Sequence, residues 1–193
     1  MESPSAGVLV LKDYFSLIVG FFRTKLRCCM ILVVGCNHGI QYRQDPLCDT
    51  PQKTEQKAQF AAFIARTIKD NKIQFVGEEW GLPEVTNARA AAEANGQTLW
   101  VNINTSFDEL EGMGIPNNYA DGDYSAEQKA RWNRQREQVM VRKLRENRGT
   151  TERLVVICGF DHMLPLTELL RQDCRCVLPM DYRTLRWYDG NAF

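Results

Sequence analysis

The sequence of 193 residues has no net charge, few histidines and no long apolar run. Its 24 basic and 24 acidic residues balance, so overall charge does not draw the protein to nucleic acid, and we predict no nucleic-acid partner. The apolar stretch at residues 14–22 is far shorter than the roughly 20 residues that span a bilayer, which predicts no transmembrane segment. The two histidines, His38 and His162, are scarce enough for their positions to be informative.

Cysteine is present, but not in the pattern of a disulfide-stabilised secreted domain. The seven cysteines are an odd number, and no pair has the spacing of a zinc knuckle apart from a lone C-x-C. Several lie inside apolar runs, where a thiol packs as a small apolar group. We therefore expect reduced thiols and a cytoplasmic protein. The seven are Cys28, Cys29, Cys36, Cys48, Cys158, Cys174 and Cys176.

The length and the 44% apolar content suffice for one buried core but not for two. We predict a single α/β domain over residues 30–193. Residues 1–29 lack the basic start and cleavage site of a signal peptide and are predicted to be a leader outside this core. Either translation starts at Met30, directly before the first core strand, or the leader is a helix that binds a membrane surface or a partner.

Apolar runs rich in β-branched residues alternate along the chain with segments of helical periodicity. Thr50 with Pro51 is typical of a helix start, Ser125 with Gln128 forms a capping box, and Gly96 is typical of a helix end. This alternation predicts a mainly parallel sheet of about five strands with helices on both faces. We expect strands within 30–40 and at 73–77, 99–103, 154–159 and 175–178. We expect one helix that begins at residue 50, a second from Pro83 through 88–94, and two more at 125–147 and 164–171.

Residues 104–124 form the longest connection in the predicted domain. They mix turn residues with scattered apolar groups, which favours a packed lid containing a short helical turn at 107–110. Asp121, Gly122 and Asp123 resemble part of a calcium loop, but their spacing does not fit an EF-hand, and we interpret them as a plain turn.

Both histidines stand three residues after a glycine at the end of an apolar run, as GCNH at residues 35–38 and GFDH at residues 159–162. With 13 glycines in the sequence, a histidine has a glycine at this distance by chance in roughly 7% of cases, so we interpret the two motifs as one functional unit. We expect Gly35 and Gly159 to turn the backbone sharply off each strand and to allow a ligand close to the main chain.

Glu78 and Glu79 follow the predicted second strand, and the carboxyl ends of parallel strands share an edge where ligands bind. His38, His162 and the glutamates are therefore predicted to meet there. Because successive strand residues point to opposite faces, only one glutamate should face a common site, and we favour Glu79. His38, Glu79 and His162 could hold a divalent metal ion, or the imidazoles and the carboxylate could act as base and acid without metal; the spacing leaves both open.

Arg136 lies on the stripe of the predicted 125–147 helix that should face the protein, because Trp132 and Met140 are four residues to either side. A buried guanidinium needs a partner, so Arg136 is predicted to bind a carboxylate or an anionic substrate. The alternative is that its side chain extends past Trp132 to water.

These motifs resemble, in order and setting, the TraB/Tiki-like superfamily, which also takes in erythromycin esterases and ChaN-like haem-binding proteins. The similarity covers residues 30 to about 170 and comprises GCNH at 35–38, VGEE at 76–79, REQVM at 136–140 and GFDH at 159–162. It implies a site of His38, Glu78 or Glu79, Arg136 and His162, and hydrolysis with or without a metal. The chain is shorter than most members, lacks their transmembrane segments, and has Glu137 where Asp or Asn is common.

Three functional hypotheses follow. The first is a small cytoplasmic hydrolase of a small-molecule or peptide substrate, with water activated at the two histidines and Arg136 stabilising negative charge. The second is a non-catalytic protein that binds a small molecule, a metal ion or haem in the same pocket. The third is an interaction module in which the leader and the basic helix meet a partner.

Overall fold

The computed structural model describes residues 29–43 and 49–184, so the predicted leader at 1–29 lies outside the described residues except for Cys29. Five parallel strands form one sheet in the order β3-β2-β4-β1-β5. The predicted α/β fold with a parallel five-stranded sheet is confirmed. The strands are β1 Met30–Cys36, β2 Phe75–Glu78, β3 Leu99–Asn102, β4 Arg153–Gly159 and β5 Cys176–Asp181.

Six helices are seen in the described part of the chain, followed by a short 3-10 turn at Tyr182–Thr184. Two differ from the sequence prediction near the histidines. A four-residue helix, α1, follows β1 directly, and α6 begins at Phe160 rather than at residue 164. Pro83 lies before the third helix rather than in it. The helices are α1 His38–Gln41, α2 Pro51–Asp70, α3 Asn87–Asn95, α4 Phe107–Gly112, α5 Ala126–Arg148 and α6 Phe160–Leu170.

The predicted helix signals act as expected where the structure describes them. Thr50 accepts a hydrogen bond from the Lys53 backbone N–H at the start of α2, and Ser125 and Gln128 form both bonds of a capping box on α5. Gly96 ends α3 with a φ of 68°, a conformation that side chains other than glycine rarely adopt. These local signals fix where the helices begin and end.

The sheet separates two apolar cores, one on each face. Helices α2 and α3 pack on one face, through residues such as Phe60, Ile64 and Ala92. Helices α5 and α6 pack on the other, through residues such as Leu144 and Leu166. Adjacent strands β1 and β4 are therefore followed by helices on opposite faces, which opens a crevice at their carboxyl ends.

The connection between β3 and α5 packs as predicted for a lid. It contains α4, and its apolar residues Leu110 and Ile115 form a third small cluster with Trp132 of α5. Tyr119 and Tyr124 both contact the Trp132 ring edge-on. The segment is thus fixed onto the first half of α5.

A buried ion pair fixes the chain on both sides of residues 44–48. Lys57 of α2 bonds both carboxylate oxygens of Asp49 at 2.7 and 2.8 Å and the Arg43 carbonyl at 3.4 Å. Both charged side chains are 6% exposed. Because buried charges need partners, this pair should matter to folding.

Among the described helices, none has the length and apolar character needed to cross a membrane. The five described cysteines are free thiols, and Cys36 and Cys158 are buried in the strands as the sequence predicted.

Candidate functional site

The strand order places the predicted residues together at the carboxyl edge of the sheet. β4 lies between β1 and β2, so the segments after these three strands are neighbours. His38 follows β1, Glu79 follows β2 and His162 lies in the first turn of α6 after β4. Both imidazoles approach one carboxylate: Glu79 Oε2 is 3.9 Å from His38 Nε2, and Glu79 Oε1 is 3.6 Å from His162 Nε2. The two motifs therefore form one cluster.

Glu79 is the centre of this cluster and is 3% exposed. Its Oε1 accepts a hydrogen bond from Arg136 Nη2 at 2.8 Å, and its Oε2 accepts one from the Gly159 backbone N–H at 2.9 Å. The second bond comes from the N-terminus of α6, where the helix dipole favours a negative charge. Burial acts to raise the pKa of Glu79, but His162, His38, Arg136 and the Gly159 bond outweigh it, and the pKa is lowered. Glu79 is an ionised carboxylate.

Glu78 points to the opposite face, away from the histidines. Its Oε2 accepts hydrogen bonds from Thr86 Oγ1 at 2.5 Å and from Trp100 Nε1 at 2.8 Å. Burial raises the pKa of Glu78 to about 7, although these two bonds lower it. The alternation along β2 thus selects Glu79 for the histidine cluster, the choice that the sequence favoured.

Arg136 reaches the cluster from α5, with its side chain 11% exposed. Nη2 donates to Glu79 and, at 3.1 Å, to Asn104 Oδ1, and Nη1 lies 3.1 Å from His162 Nε2. Nη1 also donates to the Tyr119 hydroxyl from the lid. The predicted carboxylate partner of Arg136 is therefore Glu79, and the alternative of a side chain extended to water is wrong.

The two histidines occupy different environments. His162 is buried, and its Nδ1 lies 2.8 Å from Glu137 Oε1 while its Nε2 faces Arg136 Nη1. A hydrogen on Nδ1 can be donated to Glu137, and a lone pair on Nε2 can accept from Arg136, so each ring nitrogen has a matching partner. His162 links Glu137 to Arg136 and does not line the open cleft.

His38 is the accessible histidine, with its side chain 51% exposed. Its Nδ1 lies 2.8 Å from Gln41 Oε1, one turn along α1. Nε2 points toward Glu79 at 3.9 Å, too far for a hydrogen bond. Of the two imidazoles, His38 alone presents a nitrogen to solvent beside the buried charges.

The glycines of the two motifs allow close approach between the motifs. Neither Gly35 nor Gly159 has a positive φ, so neither adopts a backbone conformation that favours glycine. A Cβ at Gly159 would lie 3.1 Å from His38 Nε2, and a Cβ at Gly35 would lie 2.9 Å from Met163 Sδ. Gly159 therefore makes room for His38 of the first motif, and Gly35 makes room for Met163, which directly follows the second motif.

An open cleft of about 230 Å³ lies over this edge of the sheet. His38, Glu79, Asn104 and Arg136 line its polar side. The rest of the wall is mainly apolar and comprises Tyr42, Trp80, Gly81 and Leu82. This volume is below the 300–1,000 Å³ of typical pockets for drug-sized ligands, so the cleft fits a small group.

The donors do not fit a divalent metal ion in this arrangement. Among the residues that the structure describes, no three His, Cys, Asp or Glu side chains are grouped as a metal site requires. The Arg136 guanidinium bonds Glu79 Oε1 and faces His162 Nε2, the same atoms that would ligate the ion. A second cation at that place would be repelled by Arg136 and would lack free lone pairs.

Several site residues were not found by sequence reasoning. Gln41, Asn104, Tyr119 and Glu137 all contact His38, His162 or Arg136. Gln41 stands three residues after His38, which is helical spacing and was a usable signal once α1 was recognised. Asn104 and Tyr119 lie in an irregular segment, where no periodicity indicates which side chains point inward.

Comparisons of the chain with protein-family models, with curated proteins and with solved structures found no match. The geometry of the cluster and the motif resemblance are therefore the basis for a functional assignment.

Proposed function

We propose that this protein is a hydrolase of the TraB/Tiki-like type in which His38 activates the attacking water without a divalent metal ion. The observation that carries the proposal is the orientation of His38. Its Nδ1 is bonded to Gln41, and its Nε2 faces the cleft beside Glu79. An imidazole nitrogen with a free lone pair at an open cleft is suited to take a proton from water.

In the proposed reaction, a water oxygen attacks the carbonyl carbon of an ester or amide while His38 Nε2 takes the water proton. The bond from this carbon to the leaving oxygen or nitrogen then breaks, and the imidazolium returns the proton to the leaving group. The products are a carboxylic acid and an alcohol or amine, and His38 is neutral again.

The charges around His38 support this assignment. Glu79 is ionised and 3.9 Å from Nε2, so it stabilises the imidazolium that forms during the reaction. Arg136 and the Asn104 side-chain amide line the same cleft and supply positive potential for the oxyanion. His162 and Glu137 hold Arg136 from behind, which makes them positioning residues in this scheme.

A panel of small ester, peptide and phosphoester substrates, with and without a chelator, tests the proposal. We expect cleavage of an ester or amide with a small acyl group, unaffected by the chelator and lost in His38→Ala. Cleavage that survives His38→Ala would contradict the assignment of the base, and cleavage lost with the chelator would support a metal-dependent enzyme. Saturable ligand binding in the cleft without any turnover would instead support the binding-protein hypothesis.

Substitution of Arg136 tests its role in the same assay. Arg136→Lys keeps the charge but loses the planar fork that joins Glu79, Asn104 and His162, so turnover should fall while the fold persists. Arg145→Lys is the matched control on α5, because among the described residues Arg145 pairs with Asp173 at the surface and not with a residue of the site. Equal tolerance of the two substitutions would remove Arg136 from the site.

A further inference from the structure

We infer that Gln41 is the positioning residue that makes His38 a base, by fixing which ring nitrogen carries the proton. The inference rests on the proposed role of His38 and adds a residue to it. Gln41 Oε1 can only accept a hydrogen bond, so the Nδ1 atom 2.8 Å away must carry hydrogen. The lone pair is then on Nε2, the nitrogen that faces Glu79 and the cleft.

The backbone of α1 is held so that this contact is maintained. Asn37 caps the helix by accepting from the Gly39 N–H at 2.8 Å. Asn87 Nδ2 donates to the Ile40 and Tyr42 carbonyls at 3.2 and 2.8 Å, which anchors the other end. His38 and Gln41 are therefore fixed one turn apart, and only the imidazole ring is left to be oriented by the amide.

Gln41 is poorly suited to a purely structural role. It is fully buried, and within the described part of the chain its Nε2 is a buried donor without a hydrogen-bond partner. An amide donor buried without an acceptor destabilises a folded protein, so an apolar side chain of the same size would serve packing better. A polar residue kept at this cost has its explanation in the bond to His38.

The neutral amide also distinguishes His38 from His162. The Nδ1 atom of His162 lies against the Glu137 carboxylate, whereas that of His38 lies against the uncharged Gln41 amide, which sets the tautomer and adds no charge of its own. The partner of His38 Nδ1 thus sets the tautomer, and the charge that stabilises the imidazolium is left to Glu79, 3.9 Å from Nε2. A base that must take up and release a proton in each cycle needs this combination.

The experiment is a pair of measurements on the full chain, in which the two histidines give only two sets of ring signals. Long-range proton–nitrogen spectra at alkaline pH report the tautomer of each ring, and His38→Ala assigns them. We expect His38 to carry its proton on Nδ1 in the wild type and on a mixture of nitrogens in Gln41→Met. Hydrolysis of the best substrate from the panel should fall roughly 10–100-fold in this variant, the same loss as when the outer hydrogen-bond partner of a metal-ligating histidine is removed.

Gln41→Glu gives a readout that a merely structural role would not move. A carboxylate at this position stabilises the imidazolium, so the acidic limb of the pH–rate profile should shift upward by about one pH unit. Gln59→Met is the matched control, because Gln59 is a helix glutamine of the same chemistry that bonds Glu55 and not a histidine. Thermal midpoints of Gln41→Met and wild type should be similar, since the substitution removes an unpaired donor.

The outcomes separate this inference from the proposed function. A wild-type His38 that carries its proton on Nε2 overturns the inference without any variant, even if the protein proves to be a hydrolase. An unchanged tautomer and pH profile in the Gln41 variants overturns it as well. If no substrate is cleaved, the proposed function fails, and so does the assignment of Gln41 to a catalytic base.

Discussion

Replacing Glu78 with glutamine should remove most of a pH dependence from the stability of this protein. Glu78 is buried on the face of the sheet opposite the histidines, and burial raises its pKa to about 7, against the hydrogen bonds from Thr86 and Trp100. Both bonds are accepted by Oε2, which leaves Oε1, without a hydrogen-bond partner within the described residues, to carry the proton of the neutral acid. At alkaline pH this acid must ionise inside an apolar core.

The sign and size follow from the difference between the folded and unfolded states. The ordinary pKa of a glutamate is 4.5, and the pKa of Glu78 in the folded protein is about 7. Between these two pH values the folded state holds a proton that the unfolded state has released. The free energy of unfolding therefore falls as pH rises through this window. The free energy of unfolding changes by about 1.4 kcal/mol per pH unit, so the whole shift in pKa corresponds to about 3 kcal/mol. Between about pH 5.5 and 8.5, only the part below about pH 7 contributes, and it amounts to about 2 kcal/mol.

Urea unfolding of wild type and Glu78→Gln at these two pH values measures the effect. From the lower to the higher pH, the free energy of unfolding of the variant should rise by about 2 kcal/mol relative to that of wild type. For a domain of this size, this corresponds to roughly 4–8 °C in thermal midpoint. Glu111→Gln, at an exposed position, is the control and should show no such gain. Stability curves for wild type and Glu78→Gln that stay parallel across this range would refute the assignment of a buried neutral acid.

Two further predictions concern packing at the site and around it. Gly159→Ala places a Cβ 3.1 Å from His38 Nε2. Turnover should therefore drop at least about tenfold, while the thermal midpoint changes by only a few degrees. Unchanged turnover would show that His38 has room to move. Lys57→Met removes a buried ion pair and should lower the free energy of unfolding in urea by more than about 1 kcal/mol, whereas a smaller loss would mean that the pair contributes no more than an exposed one.

Much of the fold could be predicted, as could the meeting of the site residues at one edge of the sheet, because both follow from local sequence patterns. Apolar runs alternating with amphipathic segments specify parallel strands, and the ends of such strands must share an edge. That argument was enough to bring His38, Glu79 and His162 together and to turn Glu78 away. The stripe from Trp132 to Met140 was likewise enough to direct Arg136 inward.

The remaining features depend on tertiary packing that no local pattern encodes. α1 is only four residues long, too short for helical periodicity, so the contact from His38 to Gln41 was not foreseen. Arg136 and Glu137 are adjacent, yet both point inward because α5 packs against the sheet on one side and α6 on the other. The unequal burial of the two histidines results from this arrangement, and the symmetry of their sequence motifs gave no sign of it.

The pairing of β1 with β4 also has a consequence for folding kinetics. These neighbouring strands are more than a hundred residues apart in sequence, and Gly159 at the end of β4 makes room for His38 after β1. To form this pairing, a long loop of the chain must close, and the conformational entropy of the loop is lost before the contacts between the strands form. This loss slows folding. In a refolding experiment, activity should therefore return only with the slowest structural phase. Partly folded chains would have helices but no site.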